Sequence, residues 1–365
     1  TQFVDGSGPI FGGSVFPFVF ITIACGAISG FHALISSGTT PKLIDNERHI
    51  PMIGYGGMLL EAFVAIMAMV AACVLEPGIY FAINSPAGVV GTEANEIISK
   101  INSWGYSVTV EQMNQLAKDV GESTLFARTG GAPSLAVGMA TIFANAFGKH
   151  LLALWYHFAI MFEAVFILTT LDSGTRVGRF MLQDMLGNLH PKLGQTSWLP
   201  SIILASFIVV SCWGYFLYIG VIDPNGGVNI LWPLFGIANQ MLAAIALSVG
   251  TAILIKSDKI KFAWITAIPL VWLMIVTTSA SYQKIFSEDT RIGFLSAANS
   301  MTEKISNGYI PDYGIDVAQK LIFNLKLDAG ITIFLVIILW IVIIDVIRIA
   351  LTTNIKNRKR KLSDV

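Results

Sequence analysis

The chain has 365 residues, of which 54% are hydrophobic and 13% charged, and its 23 Lys and Arg balance 23 Asp and Glu to a formal net charge of zero. Apolar residues arrive in runs of about twenty, enough to cross roughly 30 Å of hydrocarbon, so an all-α integral membrane protein is expected and an alternating-strand barrel is not. Zero charge argues neither way on nucleic acid, but no soluble basic domain is present to hold it, and Cys25, Cys73 and Cys212 lie in apolar runs with neither disulfide-framework nor metal-like spacing.

The opening run, Phe11 to Gly38, is long enough to span a bilayer, yet Gly26, Ser29, Gly30, His32, Ser36 and Ser37 crowd its second half. Glycine lets a helix unwind, and freed backbone groups inside a membrane are tolerated only where they meet protein, water or a ligand. A glycine-interrupted span is therefore a pointer to a transporter's binding site. Close helix packing through small residues is the alternative. Cys25, Gly26, Ser29, Gly30 and His32 are the candidate substrate-binding residues. Thr1 opens the chain and no signal peptide precedes this span, so sequence upstream is expected to be missing.

Met52 to Leu75 is the next expected crossing and carries Glu61 within it. In the long segment that follows, Thr109-Val110-Glu111-Gln112 reads as a capping box opening a helix to about Val120. Ala132 to Gly148 would be only about 25 Å long as a helix. It is read as a re-entrant or lid-like element, because that choice also puts Lys42 and Arg48 in the cytoplasm.

Leu151 to Leu171 places Glu163 near mid-membrane, where a carboxyl is costly and rarely kept without a task. It is the candidate carrier of a coupling proton; the alternative is a hydrogen-bonded acid fastening two helices. The inner end of the span reads Thr169-Thr170-Leu171-Asp172-Ser173, hard oxygens suited to a proton or Na⁺. The competing reading is helix termination, with Asp172 or Ser173 capping the next helix. Gly174 to Leu189 then has helical apolar spacing opposite Arg176 and Arg179 and is expected to lie along the membrane surface.

Leu199 to Ile222 and Asn229 to Ile255 follow as crossings. In the second, the adjacent amides Asn239 and Gln240 must find interhelical partners or a water-filled cavity, and Pro233 and Gly236 would allow a kink. Phe262 to Ser281 and Asp328 to Ala350 complete the set of seven, and Ser287 to Phe323 between them should form short surface helices broken near Gly308 and Pro311. Neither of the two large extramembrane segments shows a catalytic motif. Nor does any repeat or linker divide the chain, so one membrane domain is expected, with external loops over 76–150 and 282–327 and a basic cytoplasmic tail over 351–365.

The blocks ACGAISGFHALISSGTTPKLI, GYGGMLLEAFVAIMA, LEPGIYFAINSP, RTGGAPSLAVGMA, TTLDSGTR and LWPLFGIANQMLAA occur in order over much of the chain. Together they resemble the carbon starvation protein A family of bacterial inner-membrane transporters. The resemblance implies uptake of peptides or pyruvate, no cofactor, and coupling to H⁺, with Na⁺ possible. It also implies a LeuT-like bundle of the amino acid, polyamine and organocation superfamily, of which this chain would hold the second inverted repeat plus extra helices. Its missing partner would be the amino-terminal helices of the same protein. By that analogy Thr169, Thr170 and Ser173 occupy the region that helps bind the ion in sodium-coupled relatives. A nutrient-sensing receptor or a channel using the same polar cavity is the alternative.

Overall fold

The computed structural model describes residues 8, 12–23, 28–222, 228–257, 259–311 and 314–363, and every regular element among them is helical. In chain order the main helices are α1 (Val15–Thr22), α2 (Gly30–Gly38), α3 (Gly57–Val74), α4 (Pro77–Asn84), α5 (Ala94–Ser103), α6 (Val110–Val120) and α7 (Ala132–Phe147). They continue as α8 (Leu152–Gly187), α9 (Leu199–Ile222), α10 (Val228–Lys256), α11 (Trp264–Phe286), α12 (Phe294–Ser306) and α13 (Ile315–Ser363). Five segments among the described residues are long and apolar enough to cross a membrane: Glu47–Val74, Lys149–Gly187, Leu234–Lys256, Trp264–Phe286 and Ile315–Thr352. The two other expected crossings fall on α9 and on the opening span, which is divided between α1 and α2.

The chain divides into two compact units, residues 35–229 and residues 1–34 with 230–365. In the first, α4, α5, α6 and α7 enclose an apolar core of Ile83, Ile97, Ile101, Val108, Met113, Val120 and Val137 together with Tyr156 of α8. The capping box opens α6 as the sequence predicts. Thr109 Oγ1 accepts from Gln112 N at 3.2 Å, Gln112 Oε1 accepts from Thr109 N at 2.9 Å, and Gly121 ends the helix in the left-handed region. α7 lies against α3, and Gly138 makes that possible, because a Cβ there would overlap the Ala71 carbonyl oxygen. Away from this contact α3 exposes Met58, Leu60, Phe63, Ile66 and Met69, the apolar surface expected of a helix solvated by lipid.

Two expectations need correction here. Residues 174–187 are not a separate surface helix, since α8 runs unbroken for 36 residues from Leu152 to Gly187. Asp172 therefore sits mid-helix, paired with Arg176 one turn on, and neither it nor Ser173 is a cap. The apolar spacing of Val177 and Phe180 buries those side chains, and Gln183 with them donates from Nε2 to Ser201 Oγ at 3.0 Å on α9. Gly178 faces Val209 closely enough that a Cβ would come within 2.9 Å of it, so the two helices pack as a tight hairpin.

In the other unit, α1, α10, α11 and α13 supply a core of Phe18, Ile21, Ile237, Met241, Ala244, Leu273, Val276 and Leu339. The break near Gly308 and Pro311 separates α12 from α13 as expected, but α13 then continues from Ile315 to Ser363, well beyond both ends of the predicted span.

Candidate functional site

α1 stops at Thr22, where the chain turns, and α2 begins anew at Gly30. Ending a helix strands its last carbonyls and starting another strands its first N–H groups, and inside a membrane each needs a partner. Thr22 Oγ1 turns back onto its own helix, 3.1 Å from Phe18 O and 2.9 Å from Val19 O. Two further partners come from α10. Gln240 Nε2 donates to Phe20 O at the end of α1, and Asn239 Oδ1 accepts from Phe31 N at the start of α2, at 2.9 Å. Adjacent amides on one helix thus hold both ends of the interruption.

Two glycines bring the backbones close enough for this. A Cβ on Gly30 would overlap the Asn239 carbonyl oxygen and Leu242 Cβ, and one on Gly236 would lie 2.6 Å from Ile21 Cγ2 and 2.9 Å from Ile21 O. Gly236 is thus used for close approach to α1, and α10 is assigned as one helix through it. Phe16, Phe20 and Trp272 close the apolar side, with the Phe20 and Trp272 rings edge to face at 5.1 Å.

The amides are not used up. Asn239 and Gln240 are 4% and 2% exposed, and the bonds just described fix their orientation. What is left over is Asn239 Nδ2, a donor, and Gln240 Oε1, an acceptor, both buried and without a hydrogen-bond partner. Buried amides are normally satisfied, so an unused donor and acceptor beside a helix break are groups a small polar ligand could occupy.

Of the predicted substrate-binding residues, Ser29 is at the break, with Oγ 3.4 Å from Asn239 Oδ1 and 3.4 Å from His32 N. Gly30 is at the close contact. His32 is exposed in the first turn of α2, its ring 6.1 Å from that of Phe31. Cys25 and Gly26 lie outside the described residues.

The candidate coupling residues are on α8, in the other unit. Glu163 is partly buried, and its Oε2 is enclosed without a hydrogen-bond partner. The hydroxyls of Thr169 and Thr170 both donate to Phe166 O, at 2.7 and 3.2 Å. Asp172 binds Arg176 through both oxygens, at 3.2 and 3.1 Å. Ser173 is partly buried between them on the same helix, and Glu61 is partly buried on α3. At the other end of α8, fully buried Tyr156 donates to Glu122 Oε1 at 3.4 Å, and Glu122 pairs with Arg128 at 3.1 Å.

Sequence reasoning missed Lys284, which is 4% exposed and lies 5.3 and 5.8 Å from the ring centres of Phe18 and Phe294. The predicted span stopped at Ser281. A helix running one turn further carries Lys284 onto the same buried face as Thr277 and Ser281.

Described residues whose regular elements are all helical, with several helices of membrane length, have the character of a multi-pass membrane protein. The sequence profile described as "Carbon starvation protein CstA" matches residues 1–280, and the chain belongs to that family. It is 52% identical to the "Peptide transporter CstA" of Escherichia coli (strain K12), over 96% of this chain and 51% of that protein. To the "Pyruvate/proton symporter BtsT" of the same organism it is 49% identical, over 94% and 51%. Against the "Peptide transporter CstA" of Helicobacter pylori (strain J99 / ATCC 700824) the figures are 46%, 98% and 53%. The chain spans about half the length of these curated relatives, which carry transporter rather than enzyme names. No solved structure matches it.

Proposed function

We propose that this chain supplies the substrate-docking part of a secondary transporter that takes up small nutrients, peptides or pyruvate, by alternating access. The observation that carries the reading is the interruption between α1 and α2, with both ends held by Asn239 and Gln240. Its geometry suits a small substrate with a carboxylate or amide end. The start of α2 contributes the partial positive charge of a helix N-terminus, and Asn239 Nδ2 and Gln240 Oε1 supply one spare donor and one spare acceptor. The names of the relatives, peptide transporter and pyruvate/proton symporter, support both substrate classes. A LeuT-like arrangement would account for the broken span, and the basic runs support a bacterial inner-membrane protein with a cytoplasmic carboxyl terminus.

The coupling ion is a proton carried by Glu163, whose enclosed, unpartnered oxygen fits a carboxyl that gains and loses a proton during the cycle. Thr169 and Thr170 donate to their own helix and keep oxygen lone pairs free, whereas both Asp172 oxygens are paired with Arg176, so its use as a Na⁺ ligand would require that pair to be exchanged. Coupling further requires substrate and proton to favour the same conformation, since a ligand bound equally by both states shifts nothing. The test is Glu163→Gln in the complete gene product, assayed in vesicles with labelled pyruvate and dipeptides. Proton-driven accumulation should be abolished while counterflow exchange survives. Accumulation at the parental level would remove Glu163 from the scheme.

A further inference from the structure

Away from the interrupted span, residues 35–229 contain a cavity of about 310 Å³ lined by Leu43, Asp172, Thr175, Arg176, Arg179, Phe180 and Ser206. It sits on the α8–α9 hairpin, where Gly178 lets the helices approach, and its chemistry is cationic. Arg176 is matched by Asp172, which it grips through Nε and Nη2. Among the described residues Arg179 has no such match. It lies 4.6 Å from the Phe180 ring centre, and its Nε is buried without a hydrogen-bond partner. Lys42, beside Leu43, adds a further cation 4.4 Å from the same ring, and among the described residues it pairs with the well-exposed Asp184 at 3.8 Å. An exposed pair at that distance neutralises little.

The lining therefore offers an unopposed guanidinium, part of a second one, and the Thr175 and Ser206 hydroxyls. This is more donor capacity than one carboxylate would use. A phosphate group presents two or three strong acceptor oxygens in a tetrahedral arrangement, and a planar guanidinium fork can grip two of them at once. Basic clefts between membrane helices at the cytoplasmic surface are also where anionic headgroups are held. We infer that this cavity binds a phosphate group, presented by an anionic lipid headgroup or by a free phosphate, with Arg179 as its principal ligand and Thr175 and Ser206 as neutral donors.

Calorimetric titration of the complete gene product in a neutral detergent tests this. The probes are inorganic phosphate and dihexanoyl phosphatidylglycerol, with dihexanoyl phosphatidylcholine as zwitterionic control. Saturable millimolar or tighter binding of at least one of the first two is expected, at least about tenfold weaker in Arg179→Gln and intermediate in Arg179→Lys, which keeps charge but loses the fork. Binding of phosphatidylglycerol alone assigns a lipid; binding of inorganic phosphate, with or without it, assigns a free phosphate. Thr175→Val with Ser206→Ala leaves every charge in place and should weaken the same signal, which keeps the test open if Arg179→Gln does not fold. The inference is overturned if neither anionic probe binds saturably, if phosphatidylcholine binds equally, or if folded variants bind like the parent.

Discussion

Replacing Asn239 by leucine keeps the branched shape and number of heavy atoms and removes the polarity, with a moderate gain in volume, so it tests the contribution of the amide at the helix break. The Phe31 N–H then loses an acceptor at 2.9 Å in a site where the amide is 4% exposed. Stranding a buried donor costs about 1–3 kcal/mol, and loss of a helix N-terminal cap is worth about 1 kcal/mol by itself. The long contact to Ser29, at 3.4 Å, adds little. Against this, leucine also removes the unpartnered Nδ2 donor and recovers its desolvation, about 1 kcal/mol. The expected net loss is about 0–2 kcal/mol. Unfolding in mixed micelles by SDS titration measures it, and amide hydrogen exchange at Phe31 localises it, with faster exchange expected in the variant. If Asn239→Leu is as stable as the parent and Phe31 remains equally protected, the amide does not hold α2 in place and the description of the break is wrong.

Gly30→Ala should be worse than its single methyl suggests, because its neighbour is the Asn239 carbonyl rather than a side chain that can turn away. A loss of about 1–3 kcal/mol in the same titration is expected, and a neutral result would show that α2 and α10 are not in close contact. Thr109→Ala should cost about 1 kcal/mol by opening the capping box, seen as faster exchange confined to residues 110–120. Outside the membrane helices, hydrogen bonds from Arg291 hold the Asp289 carboxyl below the ordinary carboxylate range. Its folded pKa is depressed, so its contribution is complete above the unfolded value and fades as pH falls through the folded one. Asp289→Asn should abolish that acid-side dependence and leave stability near neutral pH only slightly reduced, since the pair is partly solvated. An unchanged acid profile would contradict the assignment.

What the sequence made legible follows from how local each signal is. The α6 capping box lies within a few residues and could be read directly, and glycine in an apolar span marks a break because no partner need be known to see it. That Asn239 and Gln240 need interhelical partners was equally plain. Which backbone groups they meet was not, because Phe20 and Phe31 are some two hundred residues away in sequence and the pairing depends on Gly30 and Gly236 meeting α10 and α1 at the right depth. Helix ends were the weakest point. Charged residues at Asp172 to Arg176 suggested a stop, whereas an i,i+4 ion pair lets a helix carry them through, and the same misreading left Lys284 outside its span. Arg179 was placed on a solvated face, and only the packing of α8 on α9 shows one edge of its guanidinium enclosed.

We propose that cargo docks at the interruption between α1 and α2, beside the buried amides of Asn239 and Gln240. The most direct test places a single cysteine at Ser29→Cys in the complete gene product, with Cys25, Cys73 and Cys212 replaced, and follows modification by a membrane-impermeant thiol reagent. The account predicts that the thiol reacts and that saturating pyruvate or dipeptide slows the reaction, while an unrelated sugar does not. A thiol that never reacts, or one whose rate no transported substrate alters, would contradict it.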